Sequence, residues 1–233
     1  MNRTEIIQRV LDHTGHRNYL EIGVETGRNF FRVRAARKVA VDPHFKFSLR
    51  DKVKWSLKNP SNFLASYREV TSDRYFQEDE GFRPGVVFID GLHTYGQALQ
   101  DVYNALQRLE EGGVILMHDC NPPHEAAAYP AGSCEEAVAA RPPGWTGEWC
   151  GDVWKAVCHL RAAHDDLEVF VLDCDYGVGV VTRGHPENRP DLAVDEIPRL
   201  TYRDLETDRD ALLNLKPPEF LESFLGRFSG GRS

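Results

Sequence analysis

No run in this 233-residue chain is long and apolar enough to cross a membrane, and the start, with Arg3 and Glu5, lacks the apolar core of a secretory leader. A protein of the cytoplasm, with no membrane partner, is the expectation. The five cysteines (Cys120, Cys134, Cys150, Cys158, Cys174) are odd in number and include no C-x-x-C pair. A disulfide framework and a Cys-rich zinc site are therefore not expected, and a reducing compartment fits. Basic excess is missing as well. Against 28 Lys and Arg stand 36 Asp and Glu, a formal net charge of −8. A nucleic-acid backbone needs a basic footprint and is not an expected partner. The local cluster Arg28, Arg32, Arg34, Arg37 and Lys38 reads as the solvated face of a helix. No internal repeat is found.

What is present centres on Tyr19-Leu20-Glu21-Ile22-Gly23-Val24-Glu25-Thr26-Gly27-Arg28-Asn29-Phe30. A short apolar run ends in an acid, two glycines follow four apart, and Phe30, Phe31 and Val33 read as a packed helix. A strand, a glycine turn and a helix start let backbone approach a ligand closely. The glycines of a dinucleotide fingerprint would fall at Glu25 and Arg28, and a carboxylate at Glu25 would face a pyrophosphate. No Gly-Lys-Ser/Thr ending marks a phosphate loop. The residues resemble instead the E/D-x-G-x-x-x-G motif of class I S-adenosylmethionine-dependent methyltransferases; a purely structural turn is the alternative. That resemblance implies cofactor contacts from Glu21, Gly23 and Gly27.

Along the chain, Asn2 and Glu5 mark a helix start with Ile6, Ile7, Val10 and Leu11 on one face. A second strand ends at Asp42, 19 positions after Gly23, where a carboxylate takes ribose hydroxyls in nucleotide-like cofactor sites or simply ends a strand. Val53, Trp55 and Leu57 suggest a partly buried helix. Tyr67–Val70 reads as a third strand, followed by Ser72 and Asp73, which either contact the adenine side of a cofactor or cap a helix. Gly85–Ile89 is a fourth, fully apolar strand ending in Asp90, and Val114–Met117 a fifth ending in His118 and Asp119. Between them Leu99, Val102, Leu106 and Leu109 form a helical stripe that stops at Gly112-Gly113. Residues 121–151, rich in Pro, Gly, Ala and Trp, form a lid-like insert with one short helix capped at Ser133. Asp152 is expected to cap the next helix. Leu167–Leu172 and Gly177–Val181 make an antiparallel hairpin. The expected fold is α/β: a Rossmann-like, seven-stranded, mostly parallel sheet with a reversed last strand and helices on both faces. Residues 1–184 are expected to be the cofactor domain and 185–233 a C-terminal helical extension, with helices over Asp204–Leu215 and Phe220–Phe228.

The strand ends deliver Asp90, His118 and Asp119 as candidate ligands for an octahedral divalent cation, Mg²⁺ or Mn²⁺. Their placement resembles that in metal-dependent catechol and sugar O-methyltransferases, although relatives usually carry an acid where His118 stands. His93, three residues past Asp90, is the candidate general base, since an imidazole of ordinary pKa about 6.5 accepts a hydroxyl proton near neutrality. From Tyr19 to about Gly184 the chain is similar to small class I methyltransferases with Asp-Gly-x-His-x-Tyr (Asp90 to Tyr95) and Gly-Gly-x-x-x-x-His-Asp (Gly112 to Asp119) motifs. Gly151-Asp152-Val153-Trp154-Lys155 looks like another recurring segment of that family, without a derivable role. The resemblance implies methyl transfer from S-adenosylmethionine to a hydroxyl of a sugar or sugar-bearing small molecule, with Asp90 also a cofactor contact and a homo-oligomer as one assembly. Competing readings are a repurposed non-catalytic partner subunit and an N-methyltransferase of a small amine. A nicotinamide oxidoreductase is disfavoured by Glu25. Asn121-Pro122-Pro123-His124 resembles the N-P-P-aromatic signature of amino-methyltransferases, but follows the fifth strand instead of the fourth and lacks the aromatic.

Overall fold

The computed structural model describes residues 1–78 and 81–228; the last five positions of the expected C-terminal extension lie outside them. Helix α1 (Arg3–Thr14) begins in a reciprocal cap, Asn2 accepting the Glu5 N–H and the Glu5 carboxylate accepting the Asn2 N–H, both at 3.1 Å. Ile6, Ile7, Val10 and Leu11 are its buried stripe. The strands are β1 (Asn18–Ile22), β2 (Arg37–Asp42), β3 (Ser66–Glu69), β4 (Val86–Ile89), β5 (Val114–Met117), β6 (Leu167–Leu172), β7 (Val178–Arg183) and β8 (Leu215–Lys216). They form one sheet in the order β3-β2-β1-β4-β5-β7-β6-β8. The reversed hairpin is present, β6 pairing antiparallel with β7. The sheet has eight strands where seven were expected, because Leu215 and Lys216 pair in parallel with Val171 and Leu172.

By its packing the chain divides into two compact units. The first comprises Met1–Gly91, Asp101–Leu116 and the chain from Leu221 on; the second comprises Leu92–Gln100 and Met117–Phe220. In the first, β1, β2, β3 and β4 run parallel. Burial of all four β4 residues and five of six β2 residues matches their continuous apolar runs.

Several local expectations are corrected. The stretch after Gly27 is a series of turns, not a helix. Its carbonyls are taken by side chains from elsewhere. Lys38 Nζ donates to Phe30 O (2.6 Å) and Val33 O (2.8 Å), and Asn59 Nδ2 to Phe31 O and Val33 O, each at 3.0 Å. Asn62 Nδ2 also donates to Phe31 O at 3.0 Å. A continuous helix would need those acceptors for itself. Phe30, Phe31 and Val33 are nonetheless core residues, as their spacing implied. Lys38 therefore does not belong to a solvated face: it is 1% exposed.

Helix α2 (Leu49–Lys58) forms, but Leu49, Val53 and Leu57 point outward, at 75%, 55% and 74% exposure. Trp55 alone of the apolar trio turns inward, stacked on Phe31. Helix α3 (Ser72–Gln77) is capped by Thr71, whose Oγ1 accepts the Arg74 N–H, so neither Ser72 nor Asp73 is its cap. Helix α4 (Tyr95–Arg108) follows β4, and α5 (Cys134–Ala140) starts at Ser133 as expected. Helix α6 (Trp154–Ala163) has no side-chain cap; Asp152 serves another helix instead. The expected helix over Asp204–Leu215 is two short ones, α7 (Tyr202–Thr207) and α8 (Arg209–Leu213), broken at Asp208 and ending in the αL residue Asn214, from which β8 starts. The last helix among the described residues is α9 (Phe220–Gly226).

Candidate functional site

In the first unit, register places three of the singled-out residues side by side. Ile22 pairs with both Val41 and Ile89, so Gly23 and Asp90 each lie one residue beyond a strand end, level with Asp42, the last residue of β2. Gly23 has φ +82°, and a Cβ there would lie 1.9 Å from the Asp90 carbonyl oxygen. Only glycine lets the chain turn this close to β4. Gly27, also at positive φ, lies where a Cβ would strike the Phe31 ring at 2.3 Å. Asp42 is anchored by backbone: Oδ2 accepts the Glu25 N–H at 2.8 Å and Oδ1 the His44 N–H at 2.7 Å. Its carboxylate thereby fixes the loop that follows Gly23 onto the end of β2.

Glu21 lies beneath that loop, 1% exposed. Its Oε2 accepts from the Tyr19 hydroxyl at 2.5 Å and from Asn29 Nδ2 at 2.9 Å, and Asn29 Oδ1 accepts from Thr4 at 2.6 Å. Burial is the main influence and pushes the Glu21 carboxyl up to about 8. Asp90 Oδ2 accepts from Arg3 Nη1 at 2.9 Å, an ion pair that brings the first turn of α1 to the end of β4. Ser72 and Asp73 occupy the first turn of α3, after β3.

In the second unit, His93 meets Asp119. Its Nε2 is 3.3 Å from Asp119 Oδ2, and its Nδ1 is 2.8 Å from the Trp149 carbonyl oxygen. A carbonyl only accepts, so Nδ1 carries the proton. Nε2 then faces a carboxylate either with a lone pair, which needs a proton or cation between them, or as an imidazolium N–H. Asp119 has φ +60°, a left-handed conformation costly for a non-glycine residue and a common mark of a functional position. His118 is 4% exposed; Nδ1 lies 3.0 Å from Asp119 Oδ2 and Nε2 3.5 Å from Asp175 Oδ1. Two imidazoles therefore converge on one carboxylate oxygen. The buried Cys150 thiol also bonds to Asp119, and burial foremost, with that carboxylate, raises it well above the ordinary thiol range. It is a donor here, not a nucleophile.

Asp175 and Tyr176 were not singled out by sequence. Both have positive φ in the tight turn closed by Gly177 N–H to Cys174 O at 2.8 Å. Tyr176 stands edge-on to His118, and its hydroxyl donates to Glu148. The turn itself is the short connection expected of the hairpin; the roles of Asp175 and Tyr176 in it have no local signal. Asn121 of the N-P-P-H stretch is structural: its amide donates to Asp173 at 2.9 Å and its oxygen accepts from Arg209.

Residues 20–120 match the family model described as a methyltransferase domain. No curated protein matches in sequence. Among solved structures the chain is similar to the O-methyltransferase TomG from Streptomyces achromogenes, involved in tomaymycin synthesis and solved with SAM (12% identity, 78% of this chain and 79% of that one, TM-score 0.55). It is also similar to the SAH-bound methyltransferase PaMTH1 from Podospora anserina (16%, 78% of each chain, TM-score 0.55). A third is an O-methyltransferase from Bacillus cereus in complex with SAH (16%, 77% and 79%, TM-score 0.51). These likenesses establish the fold as the Rossmann-like architecture of class I methyltransferases.

Proposed function

We propose that this chain is an S-adenosylmethionine-dependent methyltransferase that methylates a hydroxyl of a small molecule, in the class of sugars or sugar-bearing compounds. Gly23, lacking a side chain, brings its backbone against the Asp90 carbonyl at the carboxyl ends of β1 and β4, where open α/β sheets take ligands. Gly23, Gly27, Asp42, Ser72, Asp73 and Asp90 would hold the cofactor, with Asp42 on the ribose. Glu21 contributes from below by anchoring the loop through Asn29. When bound, S-adenosylmethionine supplies an electrophilic methyl group on a sulfonium that is already a good leaving group. The chain's own task is alignment and proton transfer.

The observation that carries the reading is His93. With Nδ1–H held on the Trp149 carbonyl, Nε2, which faces Asp119 Oδ2 at 3.3 Å, is the ring atom that would take the acceptor's hydroxyl proton, and Asp119 would stabilise the imidazolium that results. The Trp149 indole, stacked on His93 with ring centroids 5.2 Å apart, and Tyr176 are aromatic surfaces suited to a sugar ring.

A second reading keeps the expected divalent cation, Mg²⁺ or Mn²⁺, on donors of the second unit, where His93 Nε2 and His118 Nδ1 lie 3.3 Å and 3.0 Å from Asp119 Oδ2. Such a cation would lower the pKa of the acceptor hydroxyl and relieve His93 of that work.

Calorimetry and a methyl-transfer assay with sugar hydroxyls and amines as acceptors test both readings. Wild type is expected to bind S-adenosylmethionine, and Gly23→Ala to lose that binding through the clash at Asp90. His93→Gln is expected to retain cofactor affinity while kcat falls about 10²- to 10⁴-fold, the usual range for a general base. Loss of activity on chelation, restored by Mg²⁺, selects the cation reading. Absence of cofactor binding by wild type sinks both and favours a non-catalytic partner subunit.

A further inference from the structure

Two motifs are left over by the chemistry of the site: Tyr95 in Asp-Gly-x-His-x-Tyr, and the run Gly151-Asp152-Val153-Trp154-Lys155. The structure joins them. Asp152 Oδ1 accepts the backbone N–H of Tyr95 at 2.6 Å, one of the N–H groups that the first turn of α4 leaves without a helical partner. The other end of Tyr95 is held from α6, its hydroxyl lying 2.6 Å from His159 Nδ1. Burial and the nearby charge of His164 favour the neutral form of His159, a ring able to accept from that hydroxyl.

His93, two residues earlier, is gripped by the same segment. A Cβ at Gly151 (φ +60°) would lie 1.9 Å from the His93 carbonyl oxygen, so the two backbones touch. The Trp149 carbonyl takes Nδ1–H and is itself fixed. Trp149 Nε1 donates to Tyr129 O at 2.8 Å, and Cys150 N–H and Gly151 N–H both donate to Ala127 O, at 2.8 and 3.0 Å. Lys155 lies 3.9 Å from Asp152 Oδ2 and donates to Pro198 O at 3.2 Å, while Trp154, 1% exposed, roots the run in the core.

We propose that residues 149–155 form a positioning clamp for His93, with Asp152 as the positioning residue that holds Tyr95 and the start of α4 so that Trp149 can fix the imidazole as its Nδ1–H tautomer. The assignment explains every side chain of the motif except Val153, 4% exposed, which is core packing. It also explains why the two motifs, 57 positions apart between Tyr95 and Asp152, belong together. Its consequence for activity rests on the reading of His93 as the base; its structural content does not.

The test uses the ¹⁵N-labelled full chain at a pH where imidazoles are neutral, with long-range ¹H–¹⁵N spectra reporting which nitrogen of His93 carries the proton. The His93→Gln variant identifies its signals. Wild type is expected to show Nδ1–H alone. Asp152→Ala is expected to show a mixture of tautomers and a kcat lower by about 100-fold, as for a misplacement near 1 Å, with unchanged affinity for S-adenosylmethionine. Asp152→Asn retains the Oδ1 acceptor and is expected to restore both readouts. Tyr95→Phe, which keeps the backbone bond and loses only the hydroxyl bond, is expected to loosen the tautomer partly, and it serves if Asp152→Ala does not fold. A tautomer unmoved in Asp152→Ala and Tyr95→Phe, or an Asp152→Asn no better than Ala, overturns the clamp and leaves the methyltransferase reading standing. A tautomer released as expected in a chain that transfers no methyl group upholds the clamp and sinks the enzyme reading.

Discussion

Glu21 and Lys38 are each 1% exposed in neighbouring strands, and burial is the largest influence on both. It raises the Glu21 carboxyl from 4.5 to about 8 and lowers the Lys38 amine from 10.5 to about 7, each partly restrained by the other's charge. The signs differ in their pH windows. An acid whose folded pKa is raised weakens the fold progressively from pH 4.5 to about 8. An amine whose folded pKa is lowered weakens the fold below about 7, and that loss is relieved as pH rises towards 10.5. Between 4.5 and about 7, the Glu21 contribution makes stability fall with pH. Glu21→Gln is expected to flatten that limb and to be more stable than wild type near pH 8. Urea midpoints at about pH 5 and about pH 8 check it, and parallel curves for the two proteins would remove Glu21 as the cause. At this scale the sequence was informative where chemistry resides in side chains at strand ends: Gly23, Asp42 and Asp90 fall into register as the pattern implied. The acceptor that orients His93 is the backbone carbonyl of Trp149, and a backbone atom has no signature in sequence.

Among elements, α2 shows how periodicity fixes type without direction. Leu49, Val53 and Leu57 recur at helical spacing, and Ser48 with Asp51 caps the helix. The face that packs is nevertheless the one carrying Trp55 and the buried Ser56, because Phe31 offers Trp55 a parallel ring 5.9 Å away. Leu57→Lys or Leu49→Gln is expected to change stability by less than about 0.5 kcal/mol, as for other surface substitutions. Trp55→Ala is expected to cost about 2 kcal/mol or more through the cavity left against Phe31. Thermal denaturation of the three variants decides it; a large loss at Leu49 or Leu57 would mean that the row is covered in solution. The helix expected after Gly27 failed for a related reason. Phe30, Phe31 and Val33 have the right spacing, but their carbonyls are claimed by Lys38, whose buried inward turn no local pattern shows, and by Asn59 and Asn62, which no local window contains.

For the whole molecule, the sheet was legible as far as the β6–β7 hairpin, because long apolar runs and a short connection leave few alternatives. The two-residue β8 is too short for any pattern. Its neighbourhood is integral all the same. Leu205 and Leu213 are fully buried in the second unit, and Leu221, Phe224 and Leu225 are buried in the first, where Glu222 pairs with Arg9. Arg161, 2% exposed, donates to the carbonyls of Ala211 and Leu212 and to Asn188. A chain ending at Gly184 would leave that guanidinium buried without those acceptors, which is strongly destabilising. It is expected to show no cooperative melting transition by circular dichroism, and a sharp transition near that of the full chain would contradict this account.

The turns between Gly23 and Arg37 are secured by Lys38 from just beyond them, and by Asn59 and Asn62 from 26 to 31 positions away. Their shape thus depends on residues placed well after them in the chain. Residues 18–42 cannot take it as an isolated piece, and on a growing chain it must wait until Asn62 has been made and docked. The loop after the first strand, early in sequence, is therefore expected to take its form only once the asparagines are placed, and a delay in placing them is expected to show there.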